Sequence, residues 1–424
     1  MANFLFGYHI GVMNGPIEDI ARELGFQGNP FLQGLVVSIF IVGAFFGSLG
    51  SAALVDNFGC KRTLQIDSIP LILGAILSIL HLKQSYSAQA DSLDEMLLGR
   101  FLVGIGIGVN TVLVPLYVSE CHYRWNILTK HINQSRWRTM LYAACVPGFL
   151  IVAGMQFAVE SPRWLAKVGR IDDARNVVEH VWGPSEVEKS MEEIQSVVAN
   201  DDSQASWSEL LEEPHNRVAL IGGSLFFLQQ FAGINGVLYF SSLTFRDVGI
   251  TSGILASLYV GITNFAGAIV ASILMDKQGR KKLLTGSYLG MALAMFLIVY
   301  AISFPLDEGV SHGLSITGTL LYIFTFAIGA GPVTGIIIPE LSGARTRSKV
   351  MGFSFTVHWI CNFLVGLYFL ELAKKLGVGA VYAGFGGVSL LSALFAYNFI
   401  VETKGRSLEE IEMSLSPAAP GKRE

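Results

Sequence analysis

The sequence predicts an all-α polytopic membrane protein, and three observations carry that reading. Hydrophobic residues make up 52% of the 424-residue chain and charged residues only 15%, against roughly 25% charged in ordinary soluble domains. Apolar runs of about twenty residues, each long enough to cross a bilayer as a helix, recur from one end to the other. Short loop motifs also return at a constant spacing in the second half. A net charge of −4 provides no global basic field for a polyanion, so no nucleic-acid partner is expected. The number of apolar runs excludes a signal peptide followed by a soluble body.

Eleven spans are predicted, at about 2–24, 31–55, 63–82, 96–119, 138–159, 217–245, 252–275, 283–304, 314–339, 349–371 and 378–400. The apolar part of the first is short, and no signal or transit segment is visible ahead of it. Residues 161–216 break the pattern, with twelve acidic residues against five basic ones. Asp172–Val181 and Ser185–Ala199 read there as short amphipathic helices, with Ser185 and Glu188 in capping-box spacing. The chain thus divides into a first transmembrane half (1–160), a soluble helical linker (161–216), a second transmembrane half (217–402) and a polar tail (403–424). Outside the linker, 24 basic residues face 21 acidic ones. The basic ones cluster in short loops: Lys61 and Arg62; Lys277, Arg280, Lys281 and Lys282; Arg345, Arg347 and Lys349; Lys404 and Arg406. The positive-inside tendency places these loops on the cytosolic side or its topological equivalent.

The loop motif Asp56-x-x-Gly59-x-Lys61-Arg62 returns 220 residues later as Asp276-x-x-Gly279-Arg280-Lys281-Lys282. Glu120, closing Pro115-Leu116-Tyr117-Val118-Ser119-Glu120, matches Glu340 of Pro339-Glu340 at the same spacing of 220. Glu160 matches Glu402, but at 242. The step of 22 is the length of one membrane helix, so the first half is one helix short between Glu120 and Glu160. The residues left at the gap, 121–136, include Arg124, Lys130 and Arg136. Holding three charges in lipid costs roughly 8–10 kcal/mol, so that stretch is not read as a span. Parity agrees: equivalent loops on one side of a membrane need an even number of spans between them, and five separate Asp56 from Asp276. Parallel repeated halves joined by a linker are the pattern of major facilitator transporters, here with the fifth of twelve helices deleted.

The motif set resembles the sugar porter family of the major facilitator superfamily. Its pieces are Gly7-Tyr8-x-x-Gly11, Gly99-Arg100, Pro115 to Glu120, Glu160-Ser161-Pro162-Arg163-Trp164, Gln229-Gln230-x-x-Gly233-Ile234-Asn235, Asp276-x-x-Gly279-Arg280 and Val401-Glu402-Thr403-Lys404-Gly405. Phe6 to Gly15 is most similar to the plant plastidic glucose transporter group. The resemblance implies transport of a hexose, with glucose first, by alternating access in the plastid inner envelope.

A hexose is a ring of hydroxyls with apolar faces, so its site in a bilayer needs amides, which both donate and accept, and an aromatic surface. Gln229, Gln230, Asn235, Asn264, Trp359 and Asn362 supply these inside otherwise apolar spans. A lone intramembrane Asn is most simply an interhelical hydrogen bond; five amides in three spans mark a pathway. Gln229 and Gln230 cannot share a helix face, and the spacing to Asn235 predicts a break near Gly233. The resemblance implies charged gates: Arg100, Glu120, Glu160 and Arg163 in one cluster, Glu340, Arg347 and Glu402 in a second, with Asp56, Gly59, Arg62, Asp276, Gly279 and Arg280 in the loop motifs at helix ends.

This chain departs from the family pattern at several positions. His9 stands where proton-coupled members carry an aspartate. Facilitated diffusion is therefore expected, with proton coupling through a titrating His9 as the other reading. Cys60 replaces the basic residue after Gly59, Ala327 a glutamate, Gly335 a tryptophan and His358 an asparagine. The four cysteines show no metal spacing, and no nucleophile–base set or nucleotide loop appears. Neither an enzyme nor a cofactor is expected; the partners are a sugar and the lipid bilayer. A non-transporting short form that pairs with a full-length carrier is the alternative that the missing helix raises.

Overall fold

The computed structural model describes residues 13, 17–80, 89–120, 145–200, 207–213, 215–247, 253–342, 346–406 and 411. Every regular element among them is helical. Helix α1 is Ile17–Glu23 and α2 is Pro30–Leu80, with a break at Gly59 (φ 80°, ψ 170°) that folds α2 into two arms. Helices α3 (Gln89–Glu120) and α4 (Cys145–Phe157) follow. The polar stretch forms α5 (Pro162–Lys167), α6 (Ile171–Trp182) and α7 (Val187–Asn200). The remaining helices are α8 (His215–Phe231), α9 (Ile234–Asp247), α10 (Gly253–Gln278), α11 (Arg280–Ser303), α12 (Glu308–Ile328), α13 (Ala330–Leu341), α14 (Arg347–Leu376) and α15 (Val378–Phe399).

Eight described stretches are long and apolar enough to cross a membrane, and Gly148–Phe157 is a shorter apolar helix. Large apolar side chains such as Phe265, Leu293 and Tyr397 stand exposed on these helices, which suits a lipid solvent and would be costly in water. The predicted first span lies mostly outside the described residues, which hold only Met13 and the short α1 there. The gap segment 121–136 lies outside them entirely.

The chain forms two compact units, one centred on 38–204 with 19–27, the other on 205–424 with 13–18 and 28–37. The helices α5–α7 fold within the first unit around Leu165, Ala174, Val178, Val187, Met191 and Ile194. Ser161 caps α5 by accepting from the Trp164 backbone N–H at 3.2 Å. Trp164 Nε1 donates to the Asp56 carbonyl at 3.2 Å, and Lys167 Nζ meets Asp56 Oδ1 at 3.2 Å. These contacts fix α5 to the turn between the two arms of α2. The expected capping box at Ser185 is replaced by a one-turn 3-10 segment over Pro184–Glu186. Glu188 instead receives Arg175 Nη1 at 2.7 Å and Nη2 at 3.3 Å, because the arginine fork on α6 offers a carboxylate two parallel donors.

Small residues set the tightest crossing of the first unit. Gly43 and Gly47 of α2 oppose Gly104 and Gly108 of α3, a Gly-x-x-x-Gly pair on each helix. A Cβ built on Gly104 would stand 1.9 Å from the Phe40 carbonyl oxygen, and one on Gly47 would stand 2.0 Å from that of Ile105. With lipid outside as apolar as any side chain, such close backbone approach is what holds helices together. Gly104→Val is expected to destabilise the fold by about 1–3 kcal/mol through overpacking. Gly50→Ala, where a Cβ meets nothing within 4 Å, is expected to be neutral or stabilising. Thermal unfolding of the two purified variants in detergent checks the contrast.

Candidate functional site

The second unit places a connected set of amides on a broken helix. The chain leaves helical geometry after Phe231 and resumes at Ile234, with Gly233 at φ 96°. Only glycine fits: a Cβ there would lie 2.1 Å from the Phe385 ring, in a conformation that side chains avoid. The break lets Asn235 Nδ2 reach back and donate to Gln230 Oε1. Gln230 Nε2 donates to His358 Nδ1 at 2.9 Å and reaches Gln229 Oε1 at 3.4 Å. The amide is the donor in the first of these bonds, so the His358 proton sits on Nε2. Gln229 Nε2 ends the chain on the Ala330 carbonyl at 2.6 Å.

Ala330 is available because α12 and α13 separate at Gly329 (φ −134°, ψ −71°). Its N–H donates to Ser287 Oγ at 2.8 Å, and its carbonyl also accepts from Thr334 Oγ1 at 2.8 Å. Beside this network Tyr239 Oη donates to Asn362 Oδ1 at 3.0 Å, while Asn362 Nδ2, also buried, has no partner among the described residues. His358 packs edge-on to Trp359 and Phe226, with ring centroids 4.8 and 4.9 Å away. Gln229, Gln230, Asn235, Trp359 and Asn362 are all nearly fully buried. The two glutamines do point to different faces. Both are enclosed because α13 covers one face and α14 the other.

Asn264 stands apart from this set. It is exposed on α10 and lines a cavity of about 330 Å³ with Ser272, Met275, Phe326, Ala327 and Pro332. The cavity reaches the same α12–α13 break that Gln229 bonds. At Gly335 a Cβ would meet nothing within 4 Å, so the space a bulkier residue would fill is open. His358, Tyr239 and Ala330 are absent from the sequence-derived amide set. The only signal for His358 was its departure from an expected asparagine, and the broken-helix carbonyl of Ala330 leaves no mark in residue type.

The loop motifs assemble into helix caps. Glu402 Oε1 accepts from the backbone N–H of Arg280 at 2.8 Å and of Thr403 and Lys404, both at 3.1 Å; Oε2 accepts from that of Lys281 at 3.1 Å. A carboxylate at the positive end of α11 meets donors that helix geometry leaves free. Gly279 (φ 84°) is obligatory there, since its Cβ would fall 2.5 Å from Glu402 Oε2. The first unit repeats the device: Glu160 Oε1 accepts from Lys61 N at 3.0 Å and Ser161 N at 2.9 Å, and a Cβ on Gly59 would lie 2.7 Å from its Oε2.

The gate clusters differ from expectation in three ways. Arg280, not Arg347, pairs with Glu340, through Nη2 at 2.8 Å and Nε at 3.2 Å; Thr403 Oγ1 adds a bond to Glu340 at 2.5 Å. Among the described residues Arg347 reaches the Ser342 carbonyl, at 3.4 Å, because it starts α14 beyond the turn. Arg100 lies away from Glu160, buried with its guanidinium 4.9 Å from the Phe40 ring. It sits 20 residues, about 30 Å of helix, from Glu120, so one straight α3 cannot bring both to one end. Arg62 and Arg163 are exposed. Cys60 holds the place of Arg280 in the first unit, buried among Leu64, Val109, Leu113 and Ile151. His9 and the side chains of Glu120 and Asp276 lie outside the described residues.

Paired helical units, carboxylate-capped turns and a buried amide set define a multi-pass membrane carrier. The chain belongs to the sugar (and other) transporter family, whose model matches residues 1–123 and 122–415. It is 66% identical to "Probable plastidic glucose transporter 1" of Arabidopsis thaliana, over 98% of this chain and 82% of that protein. It is 31% identical to the glucose transporter GlcP of Staphylococcus epidermidis, over 98% of this chain and 95% of that one. The fold matches the inward-open xylose transporter XylE from E. coli with a TM-score of 0.79, at 24% identity and 97% coverage of both chains. The two family segments meet where the repeat spacing places the missing helix. The alignment with the Arabidopsis relative runs 440 positions, whereas 98% of 424 residues is about 416. About 24 positions of that relative therefore face a gap here.

Gly279→Ala and Glu402→Ala remove the same cap, so their costs are expected to be sub-additive by about 0.5–3 kcal/mol. A double-mutant cycle of unfolding free energies checks this; strict additivity would show that the cap is energetically idle.

Proposed function

We propose that the chain carries a hexose, glucose first, across the plastid envelope by alternating access, and that it does so by facilitated diffusion. The observation that carries this reading is the buried set Gln229–Gln230–Asn235–His358 beside Trp359 and Asn362, a donor–acceptor chain beside an aromatic face. The unpartnered Asn362 Nδ2 is a ready donor for a sugar hydroxyl. Each hydrogen bond contributes about 0.5–1.5 kcal/mol net, and millimolar affinity needs only about 4 kcal/mol. A few amides and one stacked ring supply that and still let the sugar leave. The names of the plastidic and staphylococcal glucose transporters among its relatives support glucose, and the plastidic names support the location.

The capped turns serve as the cytosolic-side gates of the cycle. In the second unit Arg280–Glu340 and Glu402 form a bonded cluster that has to loosen for that end to open. In the first, a neutral thiol, Cys60, stands at the position that matches Arg280, so the arginine fork on a carboxylate belongs to the second unit. Transport without proton coupling rests on His9 in place of the carboxylate of proton-coupled members.

Counterflow in proteoliposomes tests the reading. D-glucose is expected to exchange and L-glucose not, with uptake insensitive to collapse of a proton gradient; equal handling of the enantiomers overturns it. Restoring about 24 residues after Glu120 is expected to raise the rate. Gln230→Ala and Asn362→Ala are expected to raise the half-saturating sugar concentration about tenfold each, the loss of roughly 1.4 kcal/mol of binding.

A further inference from the structure

Asp67, on the second arm of α2, is a carboxyl group buried inside a transmembrane unit, and neither the amide set nor the gates use it. Among the described residues it is the one buried aspartate. Its Oδ2 accepts from Asn110 Nδ2 of α3, and the same Nδ2 donates to the Gly106 carbonyl at 3.0 Å. Two atoms of the pair are buried without a partner: Asp67 Oδ1 and Asn110 Oδ1. If Asp67 is ionised, both are buried acceptors that meet no donor among the described residues. One proton on Asp67 Oδ1 satisfies both at once, because the hydroxyl donates to Asn110 Oδ1 while the amide continues to donate to Oδ2. Acid and amide then share two antiparallel hydrogen bonds with nothing left over.

Among the described residues, the surroundings supply no counter-charge. On its own helix Asp67 is flanked by Ser68, whose Oγ is committed to the Leu64 carbonyl at 3.0 Å, and by the neutral Thr63, whose buried Oγ1 makes no hydrogen bond to the acid. On α3 the nearest basic residue is Arg100, ten residues or about 15 Å along the helix from Asn110, where it lies against Phe40. α4, which packs on this region through Gly148 and Ile151, has no acidic or basic residue. A lone carboxylate in a bilayer is costly, whereas the neutral acid avoids that cost.

The internal repeat makes the same point from the other side. Adding 220 to Asp67 and Asn110 lands on Ser287 and Ala330, which also hydrogen-bond each other, Ala330 N to Ser287 Oγ at 2.8 Å. Both units therefore carry a polar joint at one place. In the second unit it is neutral, and Ala330 relays it to Gln229.

We propose that Asp67 and Asn110 form an intramembrane proton-binding site, a neutral acid–amide pair whose resident proton bridges Asp67 Oδ1 and Asn110 Oδ1 and joins α2 to α3. The proton stays in place during transport. Releasing it breaks the Asp67 O–H bond, delivers the proton to water and leaves the electron pair on a carboxylate that the site does not stabilise. This holds whatever the substrate.

Infrared difference spectroscopy on the purified full chain with 13C-labelled aspartate tests it. A protonated-carboxyl C=O band that shifts with the label is expected at neutral pH and persists into mildly alkaline buffer. It should be missing from Asp67→Asn. Absence of a label-sensitive band in the unmodified chain at neutral pH overturns the proposal, and so does its survival in Asp67→Asn. A second measurement needs no band assignment. Asp67→Asn replaces the hydroxyl with an amide N–H and keeps both bonds, so its Tm is expected to match that of the unmodified chain in acid and to exceed it increasingly as pH rises, because only the unmodified chain must hold a proton that its unfolded state gives up. Asn110→Leu strands the acid, and its Tm should fall further as pH rises. A Tm for Asp67→Asn as low as for Asp67→Leu would mean that the charge, not the proton, is needed, and the proposal fails.

Discussion

A polar atom buried among membrane helices has no water to bond, so its partner must come from the protein or from cargo. That constraint organises what lies inside both units. In the second, it threads Asn235, Gln230, Gln229 and Ala330 into one directional chain, each amide donating onward. In the first, it pairs Asp67 with Asn110. At Asn362 Nδ2 a buried donor is left unanswered among the described residues, and the proposed sugar site uses it.

Breaks in helices are the means by which the constraint is met. A continuous helix consumes its own amides and carbonyls and offers a ligand only side chains. The interruptions at Gly233 and Gly329 release backbone groups and turn Asn235 and Ala330 toward the glutamines. The same logic operates at the turns, where Gly59 and Gly279 leave room for Glu160 and Glu402 to cap the next helix. Each cap binds the end of one helix to a chain segment 99 to 122 residues away, so a single carboxylate both neutralises a helix terminus and ties distant spans. The two units differ at the next residue. Arg280 extends the cap into a fork on Glu340, whereas Cys60 buries itself in an apolar cluster.

Much of this was legible in the chain because spacing survives folding. Membrane helices declare themselves by length and hydropathy, since lipid demands both. The repeat paired Gly59 with Gly279 at a spacing of 220 and Glu160 with Glu402 at 242, and each pair forms the same capped turn. The shift from 220 to 242 falls where the two family segments meet, and the 440-position alignment is longer than the share of this chain that it covers. The break at Gly233 followed from two glutamines and an asparagine that no straight helix could gather.

The sequence by itself determined the helical class, the carrier family and the matching capped turns, because periodicity and loop chemistry are local properties. Partner choice is not local, and the tertiary structure decided it. Arg280 rather than Arg347 meets Glu340 because the turn before α11 points at the end of α13. Arg100 stays at the far end of α3 because twenty residues of straight helix separate it from Glu120. His358 joins the amide chain, and Asn264 faces a separate cavity, because the packing of α8 against α13 and α14 sets which side chains can touch. Asp67 meets Asn110 for the same reason: only the crossing of α2 and α3 brings an acid and an amide 43 residues apart within bonding reach.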